Sequence, residues 1–122
     1  MVLTKSLQQE DIMEKYIPVI MRGSACRIAV DHIIYIAKIG RKVRIAASDG
    51  PVEYYEKIEN FFPFLDSRFY ACLKTLVINM EKVERMENQT VYFQNGECWK
   101  LGRDNFVRTR QRYAAWLKHM IE

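Results

Sequence analysis

The chain has 122 residues and a formal net charge of +4, with 49% hydrophobic and 28% charged residues. That length holds one domain, and the apolar share excludes a disordered chain. Three cysteines are too few, and odd in number, for a secreted disulfide framework, and no run nears the roughly 18 apolar residues of a membrane span. The expectation is a cytoplasmic protein with reduced thiols and no membrane insertion.

In chain order, Leu3, Leu7, Ile12 and Met13 lie loosely on one side of a short helix. Residues 1–15 read as an N-terminal extension, without the apolar core of a signal peptide. Tyr16 to Met21 and Ala25 to Val30 flank Arg22-Gly23-Ser24 as a hairpin. Pro18 marks the first strand as an edge, because proline donates nothing to a ladder. Ile33 to Ala37 is an apolar, β-branched run that turns at Gly40. Val43, Ile45 and Ala47 then alternate with Arg44, Ala46 and Ser48, and Asp49-Gly50 signals a hairpin into Pro51 to Tyr55.

At Glu56 the period changes. Ile58, Phe61, Phe62 and Leu65 stand at helical spacing, giving one short internal helix that ends near Pro63. Residues 68 to 79 return to strand. Lys82 to Met86 and Thr90 to Phe93 bracket a turn at Glu87-Asn88-Gln89, and Asn95-Gly96 makes a hairpin of Thr90 to Leu101. Phe106, Tyr113, Leu117 and Met120 form the stripe of a terminal helix, with Asp104 or Asn105 as N-cap. Trp116 and Ile121 lie off that stripe and would cover either the sheet or a partner chain. Eight to ten short strands with two helices make a mainly β domain.

Chemistry-bearing constellations are scarce. His32 and His119 are the only histidines, and neither neighbours a cysteine or carboxylate at a catalytic spacing. There is no G-x-S-x-G, no glycine-rich phosphate loop and no Cys-x-x-Cys. The chain is therefore expected not to be an enzyme and to hold neither metal nor cofactor.

Cations gather in three stretches: Lys38 with Arg41, Lys42 and Arg44; Lys74; and Lys100 with Arg103. Each can be a solvated charge. Each can also be a loop cation that neutralises phosphate or reads guanine in a major groove.

FYACLKTLVINMEKVERM, residues 69–86, resembles the signature strand pair of LytTR-type DNA-binding domains. Phe69, Lys74, Thr75, Val77, Ile78, Asn79 and Val83 occupy its places. HIIYIAKIGRKVRIAASDG resembles the family's Ile-x-Tyr-Ile hairpin, and NGECWKLGRDN its last hairpin, which runs into arginine and helix. Leu73 stands where the family often has His, Gly102 where it often has Ser, and Ala37 where Glu is usual.

The resemblance implies an elongated fold of several short antiparallel sheets over residues 16–108, continued by a C-terminal helix over 109–122. It implies a response-regulator-like transcription regulator whose loops enter successive major grooves of double-stranded DNA at promoter repeats. The carried-over DNA-binding positions are Arg41 or Lys42, Lys74 with Thr75, and Arg103. A homodimer and a protein inhibitor are further partners that it admits.

Two alternatives stay open. One is a protein-interaction module of the same fold. The other is a small-ligand sensor using the aromatic region Tyr54 to Phe64, where Phe61, Phe62 and Phe64 equally suit a core. Cys72 and Cys98 lead toward the proposed contact loops. They read either as small buried hydrophobes or, if their strands are neighbours, as a redox pair.

Overall fold

The computed structural model describes residues 15–121. The extension expected over residues 1–15 thus lies outside the described residues, Lys15 excepted. Ten strands follow: β1 (Tyr16–Met21), β2 (Ser24–Ala29), β3 (Ile33–Ile39), β4 (Lys42–Ala47), β5 (Gly50–Tyr55), β6 (Phe69–Leu73), β7 (Leu76–Asn79), β8 (Val83–Glu87), β9 (Thr90–Phe93) and β10 (Cys98–Lys100). One α-helix, α1 (Arg103–Met120), closes the described chain. Short 3-10 segments occupy Val30–His32, Ile58–Phe64 and Met80–Lys82.

The strands form three antiparallel sheets: β1-β2, a central β5-β4-β3-β7-β6, and β10-β9-β8. This is the mainly β architecture of several short sheets that the resemblance implied. The central sheet is buried on both faces, which is why Ile33 to Ala37 reads as an unbroken apolar run. On one face Ile36, Val43, Ile45 and Val77 pack with Ile17, Val19 and Ile28 of the first hairpin and with Ile58 and Phe61. On the other, Tyr35, Ala37, Ala46, Leu76 and Ile78 pack with Val91 and Phe93 of the third sheet and with Leu101 and Tyr113. A bulge between Ile33 and Tyr35 puts Ile34 and Tyr35 on the same side.

Four local expectations are corrected. Residues 68 to 79 are not one strand: β6 and β7 form a hairpin with a tight turn at Lys74-Thr75. Neither residue has positive φ, so the turn needs none of the Gly or Asn that would have announced it. The Asp49-Gly50 hairpin turns on Ser48-Asp49, with Gly50 already opposite Ala47. The internal helix is a 3-10 segment that passes through Pro63 to Phe64. A 3-10 segment is the tighter helix, closed by bonds to i−3, and past the proline the Leu65 amide still donates to the Phe62 carbonyl at 3.1 Å.

The terminal helix differs most. Its N-cap is Gly102, which has no side chain to cap with, so Asp104 and Asn105 fall within the first turn. Thr109 and Tyr113 are buried, with Phe106 and Trp116 partly buried against the core, while Leu117 and Met120 are exposed. The helix therefore docks through about its first four turns, and Trp116 belongs to the contact face. The Tyr113 hydroxyl donates to the Val83 carbonyl at 3.0 Å, tying α1 to β8.

Candidate nucleic-acid interface

Antiparallel pairing decides which turns share an end of the central sheet. β3 runs into the Gly40-Arg41 turn, and β7 starts from the Lys74-Thr75 turn. Ala37 lies opposite Leu76, so both turns lie at the same end. The Lys38 amide, near the end of β3, donates to the Thr75 carbonyl at 2.8 Å and ties the second turn to the strand that leads into the first. Gly40 has φ +63, a left-handed conformation that glycine takes at no steric cost.

The third cationic stretch reaches the same end from the other layer. Lys100 and Ile39 line one shallow cleft. Asn105 and Arg108 of α1 line another with Lys38, Lys74 and Thr75. Arg103 lies between Lys100 and Asn105 in the chain, at the first position of α1. Lys38, Lys74, Lys100 and Arg108, far apart in sequence, thus line clefts that meet one end of the sheet. Lys38, Asn105 and Arg108 are members of this end that the resemblance did not supply. Lys38 was visible as part of a cationic turn, whereas Asn105 and Arg108 needed the docking of α1.

Arg41, Lys74, Thr75 and Arg103 are exposed, and Lys42 is half-buried with its ammonium 5.2 Å from the Tyr55 ring. Among the described residues none of these four cations enters an ion pair. Three other arginines do, and one of them, Arg44, lines the Lys100 cleft together with its acids Glu53 and Glu97. Arg44 binds Glu53 at 2.7 Å and reaches Glu97 at 3.8 Å, so its charge is spent within the fold. Arg85 lies with Glu84 and Glu87.

Arg68 binds Asp31 and Asp66, each at 2.7 Å, and Glu81 at 3.3 Å. Its hydrogen bonds hold the Asp66 carboxyl below the usual carboxylate range, and the guanidinium's own pKa rises in turn. Asp31, Asp66 and Glu81 belong to the links before β3, before β6 and after β7, which is the opposite end of the sheet. At the cationic end stand Glu56 and Glu59. Glu56 already accepts from the Lys57 amide and the Asn60 side chain.

The two cysteines of the proposed pair are held differently. Cys72 is buried on β6, where burial pushes its thiol up to about 11. Cys98 is exposed on β10. Their strands belong to different sheets and do not pair, so the neighbouring-strand condition for a bridge is not met by the ladder. Cys98 is also not the buried hydrophobe of the other reading. Among the described residues no group of three or more His, Cys, Asp or Glu side chains could hold a metal, and no helix is long and apolar enough to cross a membrane.

A mainly β domain that collects its unpaired cations on hairpin turns and a helix start has the build of a polyanion-binding module. The family model for the LytTr DNA-binding domain matches residues 23–114, and the chain belongs to that family of DNA-binding domains. Among solved structures it is similar to the LytTr DNA-binding domain of a Bacillus cereus protein described as a methyl-accepting/DNA response regulator. The two are 12% identical, the TM-score is 0.66, and the match covers 80% of this chain and 95% of that one. At that identity the likeness is one of fold. No curated protein matches the chain by sequence.

Proposed function

We propose that this chain is a sequence-preferring transcription regulator of the cytoplasm. In this reading the Gly40-Arg41 and Lys74-Thr75 turns and the start of α1 enter successive major grooves on one side of a duplex. Arg41 or Lys42 and Arg103 face base edges or phosphates, Lys74 neutralises phosphate, and Thr75 donates or accepts through its hydroxyl. The observation that supports it most is the β3–β7 pairing, extended by the Lys38–Thr75 backbone bond, which sets the Lys74-Thr75 turn beside the end of β3 that leads into the Gly40-Arg41 turn.

Arg103 adds support. A cation at the first position of a helix opposes the macrodipole, at a cost of about 0.3–1 kcal/mol where exposed. Asp104 offsets part of that. An arginine at that position suits an external anion better than it suits the helix.

A gel-shift series against genomic fragments over rising salt tests the reading. Salt-sensitive binding that prefers some fragments is expected, with two copies on repeated sites. No binding at low salt would favour the protein-interaction module instead.

A further inference from the structure

The cleft beside the Lys74-Thr75 turn is larger than the turn requires. Its volume is about 780 Å³, within the roughly 300–1,000 Å³ common for small-ligand sites. Its apolar lining comes from both sides of the β6 edge: Ile58 and Phe62 of the 3-10 segment on one, and Tyr70 and Leu73, which pack with the other core layer, on the second. Phe62 is 44% exposed, a large aromatic surface left facing water beside an open cleft. The rim carries Lys38, Lys74 and Arg108 against one acid, Glu59. Arg108 is steadied by a 2.6 Å bond to the Asn105 side chain, which leaves the rest of its guanidinium fork to donate.

An apolar lining under a net positive rim selects a particular chemistry. A neutral hydrophobe would leave the cations unanswered, and a small inorganic anion would leave the lining wet. A molecule with an apolar body and one anionic head satisfies both, since guanidinium and ammonium groups bind carboxylates by charge-assisted hydrogen bonds. We propose that this cleft binds a small amphipathic anion, an aryl or short-chain aliphatic carboxylate, and that its occupancy weakens DNA binding. The coupling rests on the DNA-binding reading above, because Lys74 and Thr75 belong to both surfaces. It supplies this domain with a chemical input of its own.

The test uses the full chain and anilinonaphthalene sulfonate as a fluorescent amphipathic anion. Saturable binding at one site per chain is expected without DNA. Salicylate and decanoate, titrated as competitors, separate an aryl from an aliphatic ligand. Ala71→Trp adds an indole to the cleft lining and should weaken the probe by about ten-fold or more while leaving DNA binding without ligand unchanged. Phe62→Ser, which removes an aromatic ring from the lining, is the second variant should the first fail to fold. Saturating probe should lower DNA affinity by about five-fold or more, and DNA should lower probe affinity by the same factor.

No saturable probe binding in a chain that binds DNA overturns the cleft and leaves the regulator reading intact. Probe binding untouched by both variants also overturns it. Probe binding at the cleft with no effect on DNA affinity overturns the coupling. Probe binding with no DNA binding at low salt overturns the regulator reading, and the coupling with it.

Discussion

The Tyr35 hydroxyl donates to the Glu97 carboxylate at 2.7 Å and accepts from Arg44 at 3.1 Å, joining the central sheet to the β9–β10 turn. The ring is buried against Phe93 at 5.3 Å and edge-on to Trp99 at 5.6 Å. Burial, and then the facing carboxylate, raises the phenol's pKa, so it stays a donor at neutral pH. One side chain thus fixes the third sheet, and with it the approach of β10 to Arg103. Tyr35→Phe should cost about 1 kcal/mol, because Glu97 is partly solvated and can turn to water. Tyr35→Ala should cost about 3–5 kcal/mol through the cavity it leaves. Urea unfolding checks both, and equal midpoints for the two variants would refute this division of roles.

Asn79 is fully buried at the end of β7. Its amide donates to the Ile33 carbonyl at 2.7 Å and its oxygen accepts from the Glu81 amide at 3.0 Å. Only an amide side chain can do both. Asn79→Ala should lower stability by about 2–3 kcal/mol, since the buried Ile33 carbonyl and the part-buried Glu81 amide lose their partners. A thermal melt unchanged from the parent would contradict this.

Arg103→Ala should weaken specific DNA binding by about 1–3 kcal/mol with the fold retained. If three to five cations meet phosphate, the slope of log affinity against log salt should be roughly −3 to −4.5. Lys74→Ala should reduce that slope by about one. Unchanged affinity in a folded Arg103 variant removes that residue from the interface.

Iodoacetamide at pH 8 should label Cys26 and Cys98 in the folded chain and spare Cys72. The first two are exposed. The third is buried with its thiol pushed up to about 11, so little thiolate forms there. Peptide mass mapping reads the outcome, and rapid labelling of Cys72 without denaturant would show that β6 opens locally.

The Arg68 cluster should make stability fall in acid. An unfolded aspartate titrates near about 3.9, and folded Asp66 titrates lower because Arg68 donates to it. The ion pair therefore contributes fully above about pH 4 and is lost as pH drops through the lower folded value. Asp66→Asn should flatten part of that fall. The effect is small, since Asp66 is a third exposed and solvent screens the pair. Melting temperatures between pH 5 and pH 2 check the sign.

The hairpins announced by glycine or Asn-Gly were legible because those turns need positive φ: Gly23, Gly40 and Gly96 all have it. The buried run Ile33 to Ala37 was legible because a strand covered on both faces has no polar side. Lys74-Thr75 was not, because its turn takes no unusual backbone angle. The terminal stripe misled at Leu117 and Met120, because α1 runs on past the core it docks against and helical spacing does not reveal where that core ends.

Local chemistry therefore specified the strands, most turns and the family pattern, since propensity and turn geometry act over a few residues. Only the tertiary structure decided which strands share a sheet and that Gly40, Lys74 and Arg108 stand at one end of it. It also decided that Arg44 and Arg68 spend their charge inside the fold. Those outcomes depend on pairings between residues tens of positions apart, and the energy of such contacts is absent from any short window of the chain.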